Sequence, residues 1–141
     1  MKAETYLKTY EHLYRQAERL TDEIKKLEEV VYAGGGAIRY DQDRVISSPG
    51  NGLTGVIDRK VMLEHVLSDT IDEMIRLKQD LEDIFSHLVN RDKKIAELTW
   101  LDFEGSVYIG QKLHINRSTV FRRQQAIVRY VQEILDQPEQ S

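Results

Sequence analysis

The stretch AETYLKTYEHLYRQAERLTDEIKKLEEVV, residues 3–31, decides the fold class. Its Ala3, Tyr6, Tyr10, Leu13, Ala17, Leu20, Ile24, Leu27 and Val31 follow one another at alternating spacings of three and four. That rhythm puts them on one side of a helix, as the a and d positions of a heptad. A second run repeats it through Val56, Lys60, Leu63, Leu67, Thr70, Met74, Leu77, Leu81, Ile84 and Leu88, with Lys60 and Thr70 as its polar exceptions. Pro49 and Pro138, the only prolines, lie outside both runs, so no ring breaks either helix. The expected fold is all-α, and its two long heptad helices pack as a helical hairpin, or as a coiled coil across an oligomer axis, or both. Periodicity leaves that choice open.

Between the runs lies AGGGAIRYDQDRVISSPGNGLTG, residues 33–55. Glycine at this density ends helices and admits positive φ, which makes the segment a loop or a partner-docking arm. Its three consecutive glycines are no phosphate loop, because no Gly-Lys-Ser/Thr follows and no strand precedes them. Residues 1–90 are thus expected to form a long-helix module carrying a Gly-rich loop or arm at 33–55, and residues 91–137 a second, smaller domain.

With 141 residues, 40% of them apolar and 31% charged, the chain can build one modest core or two small ones. No apolar window reaches membrane-spanning length, and the N-terminal residues carry charges where a signal peptide needs an apolar run. The absence of cysteine excludes disulfides and thiolate metal sites. A cytoplasmic protein with no membrane partner is expected. The histidines at 12, 65, 87 and 114 are scattered, and the pairs His65 with Asp69 and Asp83 with His87 supply two ligands each, too few to hold zinc. No Ser or Lys nucleophile has a recognisable base partner. Neither an enzyme nor a cofactor or metal site is expected.

The last third departs from this acidic background. Between Gly105 and Gln132 stand Lys112, Arg117, Arg122, Arg123 and Arg129 with no carboxylate, which leaves −9 on the remainder of a chain whose formal net charge is −4. Segregation of that kind suits a polyanion-binding unit. The spacing predicts a short helix over SVYIGQKL, a tight connection at HIN and a longer helix from RSTVFRRQQ onward, with Asn116 as its N-cap. Together they read as a helix-turn-helix. Ile109, Leu113, Ile115 and Val120 are expected inside it, Gly110 permits close approach, and Ile95, Leu98, Trp100, Leu101 and Phe103 supply a third element to cover the core. At about 100° per residue, Ile127 and Val131 share the inward face with Val120, whereas Ser118, Arg122, Gln125 and Arg129 gather on the opposite side. Arg and Gln in that stripe have the donors to read guanine and adenine edges, and Phe121 beside it suits a thymine methyl. Lys112, Arg123 and Arg129 are placed for phosphates, with Arg123 nearest the inner edge. The expected double-stranded DNA contacts are therefore Lys112, Arg117, Ser118, Phe121, Arg122, Arg123, Gln125 and Arg129.

LHINRSTVFRRQQAI, residues 113–127, resembles the helix-turn-helix of sigma-factor region four, with His114 where that pattern usually has glycine. The leading heptad helix, YDQDRVISSP at residues 40–49 and the terminal basic segment together resemble the phage and prophage transcriptional regulators related to ArpU and RinA. That resemblance implies control of phage late genes or mobile elements in Gram-positive bacteria, by a sequence-specific DNA-binding regulator. Two other readings share these features. One is a small terminase subunit, which joins a helix-turn-helix to an oligomer-forming coiled coil for DNA packaging. The other is a sigma-like interaction module that binds RNA polymerase. A homo-oligomer through the heptad helices is compatible with all three.

Overall fold

The computed structural model describes residues 1–33 and 52–138. The described residues form an all-α fold: α1 (Ala3–Tyr32), α2 (Leu53–Ser86), α3 (Asn90–Ala96) running on into a π-helical turn (Glu97–Leu101), α4 (Ser106–Leu113) and α5 (Arg117–Asp136). Most of the expected loop or arm at 33–55, including YDQDRVISSP, lies outside the described residues. Its last three residues, Leu53–Gly55, belong to α2.

Both heptad seams are turned inward. Every a and d position counted in α1 and α2 is buried or half-buried. The two polar exceptions are each resolved locally. Thr70 is buried and donates its hydroxyl to the Val66 carbonyl at 2.8 Å, the i−4 bond by which a helix satisfies a buried Thr. Lys60 lays its stem along the seam and carries its Nζ out to Glu64 at 3.2 Å and Glu28 at 3.9 Å.

The contacts divide the chain into two compact units, Met1–Leu13 with Met74 onward, and Tyr14–Glu73. This differs from the boundary expected at residues 90/91. The Tyr14–Glu73 unit is a helix pair in which Glu23 faces Arg59 at 3.8 Å and Glu28 faces Lys60, so the end of α1 lies beside the start of α2 and the pair runs antiparallel. Among its described residues, Ile24, Leu63 and Thr70 are buried.

The other unit holds the larger core. Ala3, Leu7 and Tyr10 of α1 and Leu81 and Phe85 of α2 join Ile95, Ala96, Leu98, Ile109, Val120, Ile127 and Val131 in one cluster. Two short helices and one of 20 residues offer too little apolar surface to close a core alone, which is why the ends of both long helices are drawn into it. Trp100 packs on Phe85 with ring centroids 6.1 Å apart, and Phe103 on Tyr10 at 5.7 Å. The π-helical turn closes with the Asp102 N–H donating to the Glu97 carbonyl at 3.0 Å and the Glu104 N–H to that of Leu98 at 2.8 Å. To make that exit Phe103 adopts a left-handed φ of 59°, a conformation that costs a bulky residue about 1–3 kcal/mol and is held here by its packing.

Gly110 sets the separation of α4 from the turn that follows it. A Cβ at this position would sit 2.8 Å from the Ile115 carbonyl oxygen, a backbone atom that has no freedom to move aside. Gly110→Ala is therefore expected to destabilise the protein by about 1–3 kcal/mol, the range for overpacking a tight contact. Urea denaturation followed by circular dichroism measures it, and an unchanged midpoint would show that the turn relaxes.

Candidate nucleic-acid interface

The turn between α4 and α5 is built from three residues. His114 stands at φ 58°, ψ 44°, the left-handed region where glycine is usual, and His is among the side chains that tolerate it. The Ile115 N–H then donates to the Gly110 carbonyl at 3.0 Å, satisfying one of the carbonyls left over at the helix end. Asn116 occupies the N-cap with extended φ −68° and ψ 147°, but its side chain makes no capping hydrogen bond. The position was anticipated; the side-chain cap was not realised.

α5 is sharply two-sided. Val120, Ile127 and Val131 are buried against the core, while Ser118, Arg122, Gln125 and Arg129 are all exposed on the far side. Arg117 is exposed at the first turn, and Phe121, 58% exposed, stands beside the stripe. Arg122 makes only a surface hydrogen bond, donating from Nη2 to Thr119 Oγ1 at 3.3 Å. On α4, Lys112 is exposed and lies over the ring of Tyr108, its Nζ 5.8 Å from the centroid. Tyr108 was missed from sequence, although its i,i+4 spacing to Lys112 is a recognisable helical pairing.

Arg123 is placed differently from its neighbours. Its Nε donates to Oδ1 of Asp92 at 3.0 Å and its Nη2 to Oδ2 at 2.5 Å, a two-pronged pair with a carboxylate only 8% exposed. Hydrogen bonding to Asp92, and then its charge, raise the Arg123 pKa above the ordinary arginine range against an opposing effect of burial. This reassigns Arg123 from the expected phosphate contacts to the fold, where it ties α3 to α5. Beside it Gln124 Nε2 donates to Thr99 Oγ1 at 3.0 Å, a second bond of the same kind. The remaining expected contacts, Lys112, Arg117, Ser118, Phe121, Arg122, Gln125 and Arg129, stay on the surface.

Among the described residues no group of three His, Asp or Glu side chains is arranged to hold a metal ion, and no helix is long and apolar enough to cross a membrane. No protein-family description, curated protein or solved structure matches the chain.

Adjacent arginines with opposite assignments give a direct test. Arg123→Ala strands a nearly buried carboxylate and is expected to cost about 1.5–3 kcal/mol, the range for hydrogen bonds to charged groups. Arg122→Ala should stay within about 0.5 kcal/mol, as for an unremarkable surface change. Thermal or urea unfolding of the two variants compares them. Equal losses would mean that α5 is rotated from the placement described.

Proposed function

We propose that this chain is a sequence-specific DNA-binding transcriptional regulator in which α4 and α5 act as a helix-turn-helix. One observation carries the reading: a helix whose opposite face is buried presents Ser118, Arg122, Gln125 and Arg129 to solvent, in a segment free of carboxylates. Such a stripe fits the major groove, where Arg donates two hydrogen bonds to a guanine edge and Gln pairs with adenine. Arg129 at the end of the stripe, with Lys112 and Arg117 beside it, serves as a phosphate contact, which sets register without reading sequence. Phe121 offers an apolar surface for a thymine methyl. The origin in a phage or mobile element rests on the resemblance to ArpU- and RinA-related regulators and any contact with RNA polymerase on that to sigma-factor region four, whereas the cytoplasmic setting rests on the charged N-terminal residues and the absence of cysteine.

Fluorescence anisotropy with labelled duplexes tests this in two steps. Lys112→Ala or Arg129→Ala should weaken binding to all duplexes alike and flatten the slope of log affinity against log salt by about one unit per lost phosphate contact. Once a preferred site has been selected from a random pool, Arg122→Ala should cost about 1–3 kcal/mol on that site and much less on random DNA. Wild-type protein that binds no duplex at low salt would end the reading. Equal losses on both duplexes would demote Arg122 to a phosphate contact.

A further inference from the structure

The first residues of α1 are held against α5. Gln132 accepts the Ala3 N–H at 2.8 Å and donates to the Met1 carbonyl at 3.1 Å, so the helix start is capped by a side chain 129 positions further along the chain. Lys2, in the place where a capping side chain ordinarily stands, has no acceptor to offer. Its charge is also unfavourable there, because the N-terminal end of a helix is itself positive. Lys2 is exposed and pairs with no carboxylate among the described residues. The fold gains nothing from a lysine at this position.

The side of α5 that Gln132 occupies supplies a reason. Gln125, Arg129 and Gln132 follow one another at spacings of four and three, which puts them on one face, so α1 begins where the outward stripe of α5 ends. From Arg122 to Gln132 the helix axis rises about 15 Å, whereas the major groove is about 12 Å wide. An α5 that seats Arg122 in the groove therefore carries the level of Gln132, and Lys2 with it, past the groove edge, where a duplex offers phosphates and no bases. Asp136, which accepts from the same Gln132 amide at 3.0 Å, lies a further turn out.

We infer that Lys2 is a further phosphate contact of the DNA interface, held at the end of the α5 stripe by Gln132. The inference rests on the DNA-binding reading and adds to it a residue from outside the basic segment. Fluorescence anisotropy across a salt series reads it. Lys2→Ala should flatten the slope of log affinity against log salt by about one unit and weaken binding by up to about tenfold near about 0.1 M salt, alike on selected and random duplexes. Lys2→Arg should keep the wild-type slope, and so should Lys8→Ala, which removes an exposed lysine nearly two turns further along α1. Gln132→Leu should cost the same unit of slope at unchanged helicity by circular dichroism, with no further loss when Lys2→Ala is added. A wild-type slope for Lys2→Ala overturns the inference, as does an equal loss for Lys8→Ala, which means a general effect of net charge. If Arg129→Ala loses its unit of slope and Lys2→Ala does not, the DNA-binding reading stands and this contact is refuted. A wild type that binds no duplex refutes both.

Discussion

The rotation of α5 about its own axis is the constraint on which the candidate interface depends. Burial of Val120, Ile127 and Val131 defines one face, at roughly 1.5–3 kcal/mol for each side chain taken from water. Apolar burial has no fine directionality, so a helix packed by it alone can slip by a fraction of a turn. The Asp92–Arg123 pair removes that freedom, because two parallel hydrogen bonds to a nearly buried carboxylate are satisfied in one orientation only. With Arg123 pulled toward α3, its neighbour Arg122 is turned out. The helical wheel already set Arg123 nearer the inner edge, and the bond to Asp92 completes the division.

The far end of α5 is fixed by polar bonds to the long helices. Gln132 accepts the Ala3 N–H at 2.8 Å and donates to the Met1 carbonyl at 3.1 Å, while Tyr130 donates its hydroxyl to the Ile84 carbonyl at 3.2 Å. The first two bonds engage backbone groups at the start of α1, where the helix leaves N–H donors unsatisfied. Gln is suited to this place because its amide both accepts and donates. A glutamate there would lose the donor and bring a negative charge to the basic segment. The long helices therefore contribute to the smaller module directly, and a boundary at residue 90 would cut through its core.

Regular patterns made much of this legible. The heptad seams predicted both long helices to within a few residues, and the inward and outward faces of α5 followed from a repeat of 3.6. Phe85 and Leu7, both fully buried, escaped the count because they sit at e positions beside the seam, where burial depends on which other helices arrive. Asp92 escaped for a stronger reason. It lies 31 residues from Arg123, and no local rule distinguishes a carboxylate that will pair with one arginine from one that stays solvated. The left-handed backbone at His114 was foreseeable only as a penalty to be met, since the residue itself does not demand that conformation.

The distribution of charge links these levels. Holding five basic residues free of carboxylates between Gly105 and Gln132 sets successive like charges along the axis of α5 about a Debye length apart or less, roughly 10 Å at moderate salt, a repulsion that does nothing for the fold. One of the five is offset within the protein, by Asp92. The other four are exposed, and Lys112 lies over the ring of Tyr108. A segment selected for stability alone would place glutamates among these residues at i,i+4 spacing, each worth a few tenths of a kcal/mol. Gln124, Gln125 and Gln132 stand there instead. Two of the three have structural hydrogen bonds, Gln124 to Thr99 and Gln132 to the start of α1. Gln125 points to solvent in the stripe with Arg122 and Arg129, so of the three it is the one whose neutrality the fold does not explain and a polyanionic partner would.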